Sequence, residues 1–255
     1  RTSEQLEMAE LLRRKAKVVV AFGSCAHTGG IPGLANLTDA ESILYRAYEE
    51  SPSTVNPEKI RPQVETKVPE GTVTLPSLDN TVKALDMVIP VEFYLPGCPP
   101  PPALILNAVM AILKNELPPV GSVLAPDIAL CDTCERKDSK PDKPLISGFK
   151  RPHLAIADPE KCLLAQGFVC LGPATRSGCD NACIKGNMPC TGCGGPTSNV
   201  RDYGGKALSA IASLLDCGDD AEIEKQLDQI PDPVGTFNRY SLPASFLYRR
   251  VKGGS

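Results

Sequence analysis

The sequence predicts an α/β fold with a parallel sheet, followed by an irregular, cysteine-rich region. Three observations carry this expectation. Two short apolar runs, KVVVAFG at residues 17–23 and VIPVEFYL at residues 88–95, have the character of buried strands. Helical patterns at residues 3–16, 38–50 and 103–117 lie before, between and after them. After Leu117 the periodicity fades, and eight of the eleven cysteines fall between residues 131 and 193.

Each element has its own warrant. Residues 3–16 read as a helix with Ser3 as cap, Leu6, Ala9 and Leu12 near one face, and Arg13 to Lys17 near the C-terminal end. The strand at 17–23 runs straight into SCAHTGG, which holds Cys25. Residues 38–50 read as a second helix capped by Thr38. Residues 51–78 are polar with five prolines and read as a long surface loop, of the kind that carries function or meets a partner. The strand at 88–95 leads into PGCPPPP, which holds Cys98, and then into ALILNAVMAILKNEL, where proline suits the first helical turn. Residues 118–200 read as loops, 207–215 as a short helix, and 231–250 as a semi-apolar tail without a clear period. The expected domains are 1–120, 121–200 and 201–255.

The totals exclude several function classes. The formal net charge of -3 gives no reason to expect nucleic acid or an anionic membrane as partner. The longest apolar stretch, Ala103 to Leu113, is broken by Asn107 and is too short to span a bilayer. Neither a signal peptide nor a twin-arginine signal is found. With 21 glycines and 25 prolines, much of the backbone should be irregular. An odd cysteine count in a chain of 255 residues does not suit a secreted disulfide scaffold, so the thiols read as metal ligands in a reducing compartment.

The cysteines are ordered as Cys131-x2-Cys134, Cys162-x7-Cys170, Cys179-x3-Cys183 and Cys190-x2-Cys193. Eight thiols suffice for two four-thiolate sites, and close pairs let two sulfurs converge across a short turn. Zinc ribbons set two C-x2-C pairs over one short gap. Here two unlike pairs intervene, which favours iron-sulfur while leaving zinc open. Cys25 and Cys98 each follow a strand, where ligands bind in open α/β sheets, so they can meet although far apart in sequence. Two thiolates alone cannot hold a four-iron cluster. Cys217 follows an apolar helix, has no partner at metal spacing, and reads as structural or free. His27 could donate a hydrogen bond to a cluster sulfur, although such a histidine is more often a plain loop residue. His153 has no motif around it. No acid/base pair, nucleophile-base pair or phosphate loop is present.

Four segments together resemble the small subunit of nickel-iron hydrogenases: Gly23-Ser24-Cys25-Ala26, Pro96-Gly97-Cys98-Pro99-Pro100, Cys162-Leu163-Leu164-x3-Gly167-x2-Cys170-x-Gly172-Pro173, and Pro189-Cys190-x2-Cys193. The resemblance covers roughly residues 10 to 215 and is nearest the cytoplasmic viologen-reducing type associated with heterodisulfide reductase, with the deazaflavin-reducing type as alternative. It implies a flavodoxin-like N-terminal domain and three 4Fe-4S clusters. Cys25 and Cys98 would serve a proximal cluster that needs two further ligands from a Cys-x-Gly-Cys motif not found here. Cys131, Cys134, Cys162 and Cys170 would hold a distal cluster, and Cys179, Cys183, Cys190 and Cys193 a medial one. It further implies a missing segment before Arg1 that includes the first strand, a large subunit with the nickel-iron site, and an electron-accepting subunit, ferredoxin-like or linked to heterodisulfide reductase. A quinone-reducing complex subunit shares the first domain but should lack the cysteines at 131–193. The exposed aromatics expected in the tail are Phe237, Tyr240, Phe246 and Tyr248.

Overall fold

The computed structural model describes residues 1–142 and 146–247. Helix α1 (Ser3–Lys15) is capped by Thr2, not Ser3. The Thr2 hydroxyl accepts from the Gln5 amide at 3.3 Å and the Gln5 side chain accepts from the Thr2 amide at 3.1 Å, a reciprocal capping box. The Ser3 hydroxyl is engaged elsewhere, accepting from the Ser77 amide at 3.1 Å. At its other end, Arg13 forks onto the Glu92 carboxylate at 2.8 Å. Glu92 in turn accepts the Val19 amide at 2.7 Å, so one carboxylate joins α1 to the start of the sheet.

Strands β1 (Val20–Phe22) and β4 (Phe93–Leu95) pair in parallel, with Val20 opposite Phe93 and Phe22 opposite Leu95. Both are shorter than the apolar runs that predict them. Residues 85–87 turn as a 3₁₀ helix, and the Val19 amide goes to a side chain instead of a ladder. On the far side of β4, the Leu124 amide donates to the Tyr94 carbonyl at 2.7 Å, and Tyr94 bridges Val123 in parallel. Helix α4 (Pro102–Lys114) packs Leu104 and Ala108 onto Leu95, with Val20 and Leu124 beside them. It ends at Asn115, which adopts the left-handed conformation and accounts for the stop short of residue 117.

Three segments between β1 and β4 differ from expectation. The Cys25 segment is not an open loop but a short helix, α2 (Gly23–Thr28). Helix α3 (Ala40–Tyr45) continues as a wider turn over Arg46–Glu50, and its cap is Asp39, which accepts from the Ser42 amide at 2.7 Å. Thr38 lies one residue too early and closes the preceding turn through its own amide. The expected loop at 51–78 contains a hairpin of β2 (Glu65–Val68) and β3 (Gly71–Thr74). Its residues are exposed on both faces, so the sequence has no alternation to betray it.

The cysteine-rich half is built from turns and short 3₁₀ segments, and among the described residues α5 (Ala182–Lys185) is its only α-helix before residue 200. Helix α6 (Tyr203–Ala212) starts earlier than its apolar run because the Asp202 side chain accepts from the Gly205 amide at 2.6 Å. Helices α7 (Asp220–Leu227) and α8 (Pro233–Phe237) follow, each with an aspartate cap. Leu163, Leu164, Phe168, Ile184, Tyr203, Ile211 and Phe237 share one core. Phe237 is therefore buried, not the exposed aromatic expected of the tail, because α8 folds it inward. Phe246 is 77% exposed, Tyr240 is half-buried, and Tyr248 lies outside the described residues. The tail returns to the N-terminal half. The Thr28 hydroxyl and Gly30 amide both donate to the Tyr240 carbonyl, at 2.6 and 3.1 Å. No helix among the described residues is long and apolar enough to cross a membrane.

Candidate metal centres

The ten cysteines singled out in the sequence fall into three sets. Cys131 and Cys134 lie on a 3₁₀ turn (Leu130–Thr133) and its C-cap, and Cys162 and Cys170 lie on the loop that ends in Gly172-Pro173. Together these four line one cavity, whose other walls are mostly apolar. Burial, and then the charges of Cys170, Cys162 and Cys134, push the Cys131 thiol up to about 12. Burial likewise raises Cys170, against the opposing pull of the Gly172 and Cys190 amides. The four thiols thus share one cavity. Among the described residues, no three Cys, His, Asp or Glu side chains converge as a single metal ion would require.

The second set lies around α5. Cys179 precedes it, Cys183 is on it, and Cys190 and Cys193 are on the turn that follows. Burial raises Cys183, and Cys179 adds to that. Burial also raises Cys193, with Cys179, Cys183 and Cys98 contributing and the Cys98 amide opposing through a hydrogen bond. Cys190 is buried and raised most strongly, with Cys170 and Cys193 adding to burial, and its sulfur accepts the Gly192 amide. The Cys190 thiol meets Thr175 Oγ1 at 3.6 Å, and Thr175 Oγ1 lies 2.8 Å from the buried Tyr203 hydroxyl.

The third set is Cys25 with Cys98. Both are exposed, and burial and then Cys98 raise the Cys25 thiol. Cys25 sits on α2, one turn from β1, and Cys98 follows β4, so the paired strands bring them together. Ser24 fixes the arrangement: its amide and hydroxyl both donate to the Gly97 carbonyl, at 2.8 and 3.0 Å. Gly30 passes so close that a Cβ there would lie 2.6 Å from the Cys25 sulfur. His27 stacks on Tyr94 with ring centroids 4.8 Å apart, and burial, then the Arg176 charge, holds it down to about 4. It is a neutral ring at ordinary pH.

Two links join the sets in series. The Cys98 amide reaches the Cys193 sulfur, and the Cys190 amide donates to the Cys170 sulfur at 3.4 Å. Sequence reasoning did not find these donors, nor the Gly172 and Gly192 amides, nor Thr175 and Tyr203. One signal was available: Cys170-Leu171-Gly172 and Cys190-Thr191-Gly192 repeat a Cys-x-Gly pattern that turns an amide back onto its own sulfur. Cys217 joins none of the sets. All eleven cysteines are unbridged.

The donor set suits iron-sulfur chemistry: thiols pushed up by burial bind as thiolates once a cationic centre is present, and amide donors offset the thiolate charge.

The family described as NADH ubiquinone oxidoreductase, 20 Kd subunit, matches residues 1–112. The chain is 39% identical over 253 residues to the iron-sulfur subunit of the F420-non-reducing hydrogenase of Archaeoglobus profundus, covering 98% of this chain and 78% of that one. It is 40% identical to a subunit of the F420-non-reducing hydrogenase of Methanothermobacter marburgensis, covering 98% and 77%. A solved [NiFeSe] hydrogenase from Desulfovibrio vulgaris Hildenborough is 20% identical over 75% of this chain and 62% of that one, with a TM-score of 0.42, a likeness too loose to place any side chain. The near-complete matches to these two hydrogenase subunits run through all three cysteine sets, and the chain accordingly belongs to the small-subunit family of nickel-iron hydrogenases, as a component of an oxidoreductase.

Proposed function

We propose that this chain relays single electrons between a hydrogen-splitting site in a separate large subunit and a partner protein. The observation that carries this reading is the serial linkage of the three cysteine sets by amide-to-sulfur contacts, from Cys98 to Cys193 and from Cys190 to Cys170. Cys25 and Cys98 serve the proximal site, with two further ligands that they do not supply. Cys179, Cys183, Cys190 and Cys193 serve the medial site. Cys131, Cys134, Cys162 and Cys170 serve the distal one.

A 4Fe-4S cluster bound at each site supplies reversible one-electron chemistry. The chain's own residues do the rest. The core around Leu163, Leu164 and Phe168 keeps water from the distal cavity. Backbone amides of Gly172, Gly192, Cys98 and Cys190 stabilise the thiolates, and the Thr175–Tyr203 pair orients Cys190. Residues of this chain make and break no substrate bond.

The acceptor is an electron-carrying subunit, ferredoxin-like or linked to heterodisulfide reductase, in a cytoplasmic complex. The relatives' names, F420-non-reducing, favour this over the deazaflavin-reducing alternative, since F420 is a deazaflavin. The exposed hairpin of β2 and β3, with Val73 on β3 and Leu75 just after it both exposed, is a candidate contact surface. The quinone-reducing alternative is disfavoured by the presence of the eight cysteines at 131–193, which such a subunit should lack.

Anaerobically purified protein should be brown and contain iron and sulfide, with EPR signals on reduction. Cys183→Ser should convert the medial signal toward a three-iron form. Colourless protein that contains only zinc would overturn the electron-transfer reading in favour of a zinc-stabilised scaffold.

A further inference from the structure

Among the described residues two arginines are buried, Arg176 at 2% exposure and Arg136 at 6%. They are satisfied differently. Arg176 pairs with the Asp127 carboxylate at 2.9 Å. Arg136 has no ion pair among the described residues. Its Nη2 donates to the Ile184 carbonyl at 2.8 Å and its Nη1 to Asn187 Oδ1 at 3.0 Å, with longer contacts to the Asp158 and Lys161 carbonyls at 3.4 and 3.5 Å. The Asp158 carboxylate feels this charge but pairs with Lys161 at 3.1 Å. The buried Arg136 Nε–H has no acceptor among the described residues.

Arg136 also lines the cavity enclosed by Cys131, Cys134, Cys162 and Cys170, where it is the one charged side chain among the described lining residues, the Lys140 charge acting on Cys131 from outside the lining. A guanidinium stays protonated under any condition in which the protein folds. A buried, uncompensated cation is strongly destabilising, and so is an N–H without an acceptor. Both defects vanish if the cavity holds an anion with exposed acceptor atoms. An iron-sulfur cluster with four thiolate ligands is such an anion.

We propose that Arg136 is a positioning and tuning residue for the distal site: its Nε–H donates to a sulfur of the bound cluster, and its charge holds that site's potential up. This rests on the reading of Cys131, Cys134, Cys162 and Cys170 as cluster ligands. Reduction brings one electron from the neighbouring medial site and moves no proton, so the site becomes more negative by one unit. A fixed buried cation favours that reduced form over the oxidised one. Net charge and hydrogen bonds to sulfur are the means by which a protein sets such a potential. The same side chain ties the Cys134 turn to α5, because its Nη atoms bind Ile184 and Asn187 on and just beyond the helix that carries Cys183.

The test is an EPR-monitored redox titration of the intact protein. Arg136→Gln should raise the oxidised-to-reduced ratio of the distal site about tenfold at a fixed potential, which is a fall of about 59 mV for a one-electron couple. The medial signal should stay in place. Asn187→Asp keeps the arginine but sets a carboxylate against Nη1, and should shift the distal site in the same direction. In native protein labelled with ¹⁵N-arginine, pulsed EPR of the reduced distal site should show coupling to a guanidino nitrogen. If Arg136→Gln does not fold, the other two measurements decide. Iron-loaded protein with an unshifted distal potential in the variants, or no nitrogen coupling in the native chain, overturns the role of Arg136 alone. Native protein that holds zinc in this cavity overturns that role together with the cluster reading.

Discussion

At the scale of single residues, the sites depend as much on what is absent as on sulfur. Gly30 has φ 57° and ψ −164°, a conformation essentially confined to glycine, and its hydrogen faces the Cys25 sulfur. Gly30→Ala should cost about 1–3 kcal/mol from backbone strain alone, and the added methyl should also displace Cys25. The expected result is loss of metal at the Cys25 and Cys98 site with the eight-cysteine region still loaded, read by metal analysis and EPR. Full loading of all sites in this variant would contradict the packing described. Eight of the cysteines were legible in the sequence because they come in spaced pairs. Arg136 was not, because its meaning lies in a missing acceptor, and only a folded structure shows which polar atoms go unpaired.

At the scale of elements, one carboxylate organises the entrance to the sheet. Backbone bonding by Val19, followed by Arg13, holds the Glu92 carboxyl below the usual carboxylate range. In the unfolded chain a glutamate titrates at about pH 4.3, as in short peptides. The folded value is lower, so the contribution to stability is complete above that pH and is lost as pH falls through the depressed folded value. Glu92→Gln should lower stability at pH 7 by about 0.2–1 kcal/mol, as expected for a pair near the surface. It should also flatten the acid limb of a urea-unfolding series below about pH 5. An unchanged acid limb would remove Glu92 from this role.

The elements also show where the sequence can be read. Helices α1 and α4 were found because each runs 13 residues, long enough for its spacing to show, and proline marks the start of α4. The β2–β3 hairpin was hidden because neither face is buried. Helices α7 and α8 were missed because each is under nine residues and declares itself mainly by its aspartate cap. Shifts of one to four residues in the cap or start of α1, α3 and α6 have one cause: a neighbouring side chain, Thr2, Asp39 or Asp202, makes the capping bond.

At the scale of the molecule, the cysteine loops owe their order to helices that come after them in the chain. Phe237 on α8 and Tyr203, Ala207 and Ile211 on α6 complete the core against Leu163, Phe168 and Ile184. Phe237→Ala should destabilise the protein by about 3–5 kcal/mol, measured by thermal denaturation, with earlier loss of visible absorbance from the cysteine-rich half. A loss below about 1 kcal/mol would mean that the loops stand without α8.

Tyr240 spans the two halves. Its carbonyl takes the Thr28 hydroxyl and the Gly30 amide beside Cys25, and its phenol lies 3.1 Å from the Thr191 hydroxyl between Cys190 and Cys193. Thr28 and Tyr240 are 212 positions apart. On the ribosome, the segment bearing Cys25 emerges long before the residue that fastens it. The Cys25 segment therefore stays unlatched until Tyr240 emerges, and that one residue then fastens it to the turn between Cys190 and Cys193.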